Sequence, residues 1–531
     1  MKKKLCMRIM LAICFTFLVA GCGSHIHPKT AESNPSKLHT ASAGKTKPVI
    51  LVIVDSLMEK PLREAIRQKS APAMEFLLQK GELIPQVVSS FPTMSVTIDS
   101  TLLTGTYADG HHVPGLVWYD GKEQRMVFYG NGIKEAMKID QVQVFMDAVY
   151  HLNQEHLSKE TKTIHEELAD QGKDTASING VIYRGRTEHV LKVPPFLKLA
   201  KDVPDQLRIT GPTLFSYAAL ARLDPDNARN TYLWKKFGMN DRFTAQDLAY
   251  LVRQHRLPAV TVAYFPENDN RVHRKGPDER QGIIRADEAL QEALSSFGSW
   301  ERAVKEAIWI VMGDSGQSRV YGDRGQATIE LFPLLKDFRI ARLNRPVSSG
   351  DQILISTNER MAYVYALDPR VKVSEVAARL SREPKLDMIA FKEGSAIRII
   401  SGKSGGTLRF RPGGSYKDEY GQTWTLSGDP RIADMKITGN RIVYGKYPDA
   451  LARLQGAVFS HEGRYVVANA EPGYELVGES SLTHVGGGSH GSLHEKDSLV
   501  PVIVAGTDIR PKTLRIVDFK DWIMQLASER R

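Results

Sequence analysis

Apolar runs along this chain stop abruptly at polar residues. Val49-Ile50-Leu51-Val52-Ile53-Val54 ends at Asp55, and Ile308-Trp309-Ile310-Val311-Met312-Gly313 ends at Asp314. Ala259 to Phe265 is followed by Asp269 and His273, and Leu499 to Gly506 is preceded by Gly486-Gly487-Gly488-Ser489-His490-Gly491. Short apolar runs bounded by turn residues predict strands buried on both faces of a parallel sheet. Between them the pattern changes to helical. The spacing predicts helices over 61–69, 71–81 and 285–297, with Pro72 near a start and Gly81 at a stop. A short strand is expected over 82–88, and a helix just beyond Ser95 that continues through 99–104. Strand, helix, strand in succession predicts an α/β fold with a doubly wound sheet.

Two long stretches interrupt that alternation. Residues 120–258 read as an insertion able to cap a site at the sheet edge. Residues 319–480 are the second, and Ser395–Gly402 and Gly406–Gly413 predict short antiparallel strands and hairpins there. Residues 48–531 are therefore read as one large domain with two insertions. Ser401-Gly402-Lys403-Ser404 suggests a phosphate loop, but the required first glycine is Ile397, so it reads as an ordinary loop.

In open α/β sheets the ligand site lies at the carboxyl ends of the strands. Asp55, Ser95, Asp269, His273, Asp314 and His490 are placed to reach it. Carboxylates, imidazoles and one hydroxyl suit a pair of hard or borderline divalent cations with an alkoxide nucleophile. Asp269 and His273, four residues apart, can face one cation from a single helical turn. His484 and His494 compete with His490. Ser177, Asn179 and Arg184 can either reach substrate or simply build a strand and turn.

The N-terminus concerns location. Lys2, Lys3, Lys4 and Arg8 precede an apolar stretch, Ile9 to Ala20, that is short for a membrane span. Leu18-Val19-Ala20-Gly21-Cys22 resembles a bacterial lipoprotein signal, implying removal of residues 1–21, acylation of Cys22, and a lipid-anchored protein on the extracytoplasmic face of the cell membrane. An ordinary signal peptide is the alternative. Residues 22–47 read as a flexible tether. Of the three cysteines only Cys22 would remain, so a mature chain has no internal disulfide. The formal charge is +10; the signal holds four of these positive charges and no acid, leaving about +6. The basic residues are dispersed, which argues against nucleic-acid binding as the main function. A mild positive bias still helps collect anionic substrates.

The motifs together resemble the type I phosphodiesterase/nucleotide pyrophosphatase family of the alkaline phosphatase superfamily. The resemblance is carried by Ile53-Val54-Asp55, Phe91-Pro92-Thr93-Met94-Ser95, Leu103-Thr104-Gly105-Thr106-Tyr107, Trp118-Tyr119-Asp120, the Tyr264–Pro277 block, Gly313-Asp314 and Ser489-His490-Gly491. It implies an alkaline-phosphatase-like sheet and two divalent cations, usually zinc. One cation would take Asp269, His273 and His490, and the other Asp55, Asp314 and the Ser95 oxygen. Ser95 would be the nucleophile, passing through a phosphoseryl intermediate, with Thr93 the runner-up. The implied substrate is a phosphate-ester small molecule or a cell-envelope phosphodiester.

Two positions depart from the family pattern. Its aspartate is followed by a histidine, where this chain has Asp314-Ser315-Gly316, and a family asparagine is replaced by Leu116. Both changes fall around the nucleophile-side cation, which favours Mg²⁺ or Mn²⁺ there. His111 or His112 is the candidate to supply the missing imidazole. The competing functions are a weakly active or inactive phosphate-ligand-binding lipoprotein, and a phosphoglycerol transferase acting on wall polymers.

Overall fold

The computed structural model describes residues 31–32, 47–130, 141–193, 204–232, 238–343, 345–479 and 481–528. The signal segment and Cys22 lie outside them. Within the stretch read as a tether, Ala31–Glu32 pairs with Ala221–Arg222. Among the described residues no helix is long and apolar enough to cross a membrane.

Seven strands form the central sheet: β1 (Val49–Val54), β2 (Gly81–Val88), β3 (Thr175–Ile178), β4 (Leu214–Ser216), β5 (Val260–Phe265), β6 (Ile308–Gly313) and β7 (Leu499–Ala505). Their spatial order is β2-β7-β6-β1-β5-β3-β4. All six residues of β1 are fully buried. Val49, Leu51 and Ile53 pack in one core with Ile98 and Leu102 of the helix Ser95–Thr104. Ile50, Val52 and Val54 pack in another, against helices Glu59–Arg67, Pro72–Gln79, Asp241–Arg253 and Gln281–Ser295. Burial on both faces is why the run is apolar without alternation. Each such side chain contributes roughly 1.5–3 kcal/mol of transfer free energy.

Two expectations are corrected. The run 499–505 is not parallel to its neighbours: β7 pairs antiparallel with both β6 and β2. Its reversed direction places the start of β7, and the loop carrying His490 before it, at the same edge as the ends of β1 and β6. Residues 120–258 are not wholly an added cap, because β3 and β4 extend the central sheet parallel to β5. Thr175-Ala-Ser-Ile178 and Leu214-Phe-Ser216 are too short and mixed to signal sheet strands by periodicity.

A second sheet follows β6. Its main order is Ile353–Asn358, Met361–Ala366, Tyr465–Ala470, Leu386–Glu393, Ala396–Ile400, Thr407–Lys417, Arg441–Tyr444 and Met435–Thr438. One face packs on Leu451 and Leu454 of helix Ala450–Val458, and the other on Val376, Ala377 and Leu380 of helix Val373–Leu380. Residues 401–404 form a turn in which Ser401 Oγ accepts from the backbone of Lys403 and Ser404.

Candidate active site

The edge where β1, β5 and β6 end collects the predicted residues. Asp55 follows β1 directly and is 8 % exposed. Its Oδ2 accepts from the Tyr264 hydroxyl of β5 at 2.6 Å, and Asn268 Nδ2 donates to the Asp55 and Ser56 carbonyls. Asp314 follows β6 and is fully buried. Its Oδ1 accepts from the backbone of Ser56 at 2.8 Å and Ser315 at 2.7 Å. Ser95 opens the helix Ser95–Thr104, where unpaired N–H groups favour an anion. Its hydroxyl faces Asp314 and partly opposes the rise that burial imposes on that carboxyl.

Asp269 and His273 share the helix Glu267–Lys275, and His273 Nε2 lies 3.1 Å from Asp269 Oδ1. His490 Nε2 is 3.7 Å from the same oxygen. The Nδ1 of His273 meets the Gly488 carbonyl at 2.9 Å, and that of His490 meets the Thr93 carbonyl. A carbonyl only accepts, so each Nδ1 carries hydrogen and each Nε2 is left to take a cation. The ligand atoms of Asp269, His273 and His490 all lie within 4.8 Å of one another. Ser56 Oγ at 2.9 Å and Gln317 Nε2 at 2.7 Å hold Asp269 Oδ1 in place.

The two sides differ electrostatically. Burial opposes charge on Asp269, yet His273 and His490 overcome it and hold the carboxyl well below its usual range. Burial likewise opposes charge on His273, but Asp269 and Glu359 lift it to about 10. On the other side burial and repulsion outweigh the compensation that Tyr264, Ser56, His490 and Ser95 give. Burial, then repulsion from Asp314 and Asp269, pushes Asp55 well above the carboxylate range. Burial raises Asp314, against the Ser56 N–H, His490 and Ser95. Asp99, one helical turn beyond Ser95 and 1 % exposed, is raised by burial and then by Asp314. Asp55 Oδ1, Asp99 Oδ1 and Asp314 Oδ2 are buried without a hydrogen-bond partner. Buried carboxylate oxygens without partners are costly unless a cation meets them. Both donor sets therefore fit a divalent cation: nitrogen and oxygen on the Asp269 side, oxygen alone on the Asp314 side.

The departures are also resolved in part. Ser315 is fully buried, its hydroxyl 3.3 Å from Ser56 Oγ. His111 does not replace the missing imidazole: Thr101 Oγ1 and the Val113 N–H occupy its two ring nitrogens. His112 is exposed, at a left-handed φ of 62°. Leu116 packs against the apolar core. Thr93 Oγ1 accepts from the Gly491 N–H at 2.6 Å, a structural use. His494 caps the short helix Glu495–Ser498. Arg184 is spent on Glu166 and the carbonyls of Leu157, Ser158 and Thr161. Asn179 binds Gly238, Thr244 and Ala218, and Ser177 lies within β3. These three build the fold.

Sequence reasoning missed Ser56, Asp99, Tyr264, Gln317 and Glu359. Ser56 adjoins a named motif and Tyr264 opens another. Glu359 carried a subtler signal. Ile353–Asn358 and Met361–Ala366 form a hairpin closed by two residues, where glycine or asparagine is usual, yet here the turn is Glu359-Arg360.

A sequence profile described as type I phosphodiesterase / nucleotide pyrophosphatase matches residues 49–403. No match was found among the curated proteins. Among solved structures, human ectonucleotide pyrophosphatase/phosphodiesterase 5 superposes with a TM-score of 0.53 at 14% identity, covering 91% of this chain and 95% of that one. An inactive form of the murine protein in complex with AMP gives 0.52 at 14% identity over 91% and 95%. Phosphonoacetate hydrolase from Sinorhizobium meliloti 1021, in complex with phosphonoformate, gives 0.52 at 14% identity over 91% and 96%. These likenesses establish a shared α/β fold. The matched span covers well over half of the chain, which therefore belongs to the type I phosphodiesterase / nucleotide pyrophosphatase family of phosphoester hydrolases.

Proposed function

We propose that this chain hydrolyses phosphodiesters by attack of Ser95 on phosphorus, assisted by two divalent cations. Asp269, His273 and His490 would hold one cation. Asp55, Asp314 and the Ser95 oxygen would hold the other. The observation that carries this reading is the buried, unpartnered oxygen on each of Asp55 and Asp314, beside a serine at a helix N-terminus. When bound, the cations supply charge that favours the serine alkoxide and offsets the developing charge of an in-line displacement. Ser95 Oγ forms the bond to phosphorus while the ester oxygen leaves on the opposite side. The free N–H groups of its helix orient the phosphoryl oxygens. Water then hydrolyses the phosphoseryl group and restores Ser95. Tyr264 holds the Asp55 carboxylate while Ser56 and Gln317 hold that of Asp269, so neither rotates away, and Asn268 fixes the Asp55 backbone carbonyl.

The AMP and phosphonate complexes of the structural relatives support a small anionic phosphorus compound as substrate. The test is metal content together with turnover of p-nitrophenyl phosphodiesters and monoesters by the full chain in detergent. Two bound cations, diester turnover and its loss in Ser95→Ala support the reading. Absence of both bound metal and turnover refutes it.

The missing imidazole at Ser315 favours a second reading, a phosphate-binding lipoprotein with little turnover; metal and substrate bound without turnover would select it. The N-terminal motif supports anchoring through acylated Cys22 outside the cytoplasmic membrane. Cys22→Ser should move the chain from the membrane fraction to the soluble one. An unmodified wild-type chain free in the cytosol defeats this proposal.

A further inference from the structure

The second sheet reaches the site through the tip of the hairpin between Asn358 and Met361. Glu359 occupies that tip at 5 % exposure with φ +56°, a left-handed conformation that side chains other than glycine adopt at a cost of about 1–2 kcal/mol. The surroundings keep it there. Its Oε2 accepts from Ser489 Oγ at 2.7 Å and from the His490 N–H at 3.2 Å. The neighbouring Arg360 N–H donates to the His490 carbonyl at 3.2 Å, and the Leu476 N–H donates to the Glu359 carbonyl at 2.7 Å. The hairpin tip is therefore clamped to the His490 loop, and the clamp fixes the other carboxylate oxygen.

That oxygen, Oε1, lies 3.7 Å from His273 Nε2 and 4.0 Å from His490 Nε2. Asp269 Oδ1 lies 3.1 Å and 3.7 Å from the same two nitrogens. Four donors around one tetrahedral zinc at roughly 2.0–2.1 Å stand about 3.3–3.5 Å apart. The two carboxylates thus flank the same imidazole pair, and Glu359 also shares with His273 and His484 a second set of ligand atoms that lie within 4.8 Å of one another. Both imidazoles point Nε2 inward because backbone carbonyls hold their Nδ1 atoms.

We propose that Glu359 is a fourth protein ligand of the cation held by Asp269, His273 and His490, an inference that rests on the metal reading above. Two carboxylates and two neutral imidazoles balance the charge of a divalent ion. A set of four protein donors is closed, so substrate engages this ion only by expanding its coordination or by displacing a carboxylate arm. The Asp269-side ion is accordingly the tighter of the two and ties the second sheet to the catalytic edge.

The test compares metal-stripped full-length wild type, Glu359→Gln, Glu359→Asp and Asp269→Asn in detergent. Zinc affinity is measured by competition with a chromophoric chelator, and Co²⁺ loading is followed by its visible spectrum. Glu359→Gln preserves shape and removes charge, whereas Glu359→Asp keeps charge and shortens reach. Wild type should show one tight zinc and an intense four-coordinate Co²⁺ spectrum. Each folded Glu359 variant should bind that zinc at least about 10–100-fold more weakly and change the Co²⁺ bands, since even outer-sphere partners of metal ligands are worth that much. Unchanged affinity and spectrum in either folded variant, with zinc lost in Asp269→Asn, overturns the Glu359 assignment and leaves the metal site standing. Should the variants not fold, a wild-type Co²⁺ spectrum lacking four-coordinate character overturns it as well. Failure of wild type to bind any divalent cation instead removes the metal reading itself.

Discussion

The two halves of the site are built from similar residues and behave oppositely. On one side Asp269, Glu359 and His273 satisfy one another: Glu359 is drawn down to about 2 despite burial, by His273, His490 and His484, while His273 rises to about 10. On the other side Asp55, Asp99 and Asp314 face mutual repulsion in a buried setting, and each keeps an unpartnered oxygen. The difference comes from imidazole. Where a histidine is present, the charges close among protein groups. Where serine stands in its place, as at Ser315, the carboxylates need something from outside. The first half can hold its shape unaided. The second half is arranged for a cation and an incoming phosphate, next to the hydroxyl that opens the Ser95 helix.

The largest expected effect breaks the second half at its reacting atom. Ser95→Ala should lower turnover of a p-nitrophenyl phosphodiester by at least ~10³-fold, as loss of a covalent nucleophile generally does. The circular dichroism spectrum should be unchanged, because Ser95 is not a required cap of its helix. Activity within tenfold of wild type would remove Ser95 from the mechanism. Thr93 would then be tested next, although its hydroxyl already serves Gly491.

The contrast sharpens at Ser315. Returning an imidazole by Ser315→His should raise zinc affinity at the Asp55–Asp314 side by ~10–100-fold and shift its preference from Mg²⁺ or Mn²⁺ toward Zn²⁺. Ser315 is buried against Ser56, so the larger ring meets a crowded neighbour. Ser56 has φ +56°, a conformation glycine accepts without strain, so Ser56→Gly with Ser315→His supplies room, at the loss of one of the two hydrogen bonds that hold Asp269 Oδ1. Equal, tight zinc at both sites in wild type and no gain in either variant would mean that the side already has a full donor set.

What could be read from the sequence follows the same division. Asp55 and Asp314 were legible because each ends a six-residue apolar run, and burial on both faces leaves that mark in composition alone. Asp269 and His273 were legible from their helical spacing. The direction of β7 was not, since an apolar run carries no record of whether its partners run with it or against it. β3 and β4 were lost among polar neighbours because three or four residues contain too little pattern. Glu359 and Asp99 were missed for different reasons. Glu359 reaches the site from a sheet whose hairpin lies far along the chain. Asp99 sits in a helix whose residues after Ser95 are all buried, so no polar stripe singles it out.

The smallest effect tests whether the carboxylate side is truly uncompensated. In metal-free protein, Asp99 has a folded-state pKa raised by burial and by Asp314. A raised carboxyl contributes stability that is fully present below its unfolded value, near 3.9, and is lost as pH rises through the folded value. An asparagine side chain at this position cannot titrate and keeps the shape. Asp99→Asn should therefore match or fall slightly below wild type near pH 3.5, and exceed it by ~1–2 kcal/mol at pH 8, in line with the penalty for a buried group left unpaired. Urea unfolding of the metal-stripped chain at the two pH values measures this directly. Saturating Mn²⁺ should shrink the gap at pH 8, because a cation beside Asp55 and Asp314 offsets the repulsion that Asp99 feels. A wild type more stable than Asp99→Asn at pH 8 without metal would show that Asp99 has a compensating partner, and the contrast between the two halves would fail at this residue.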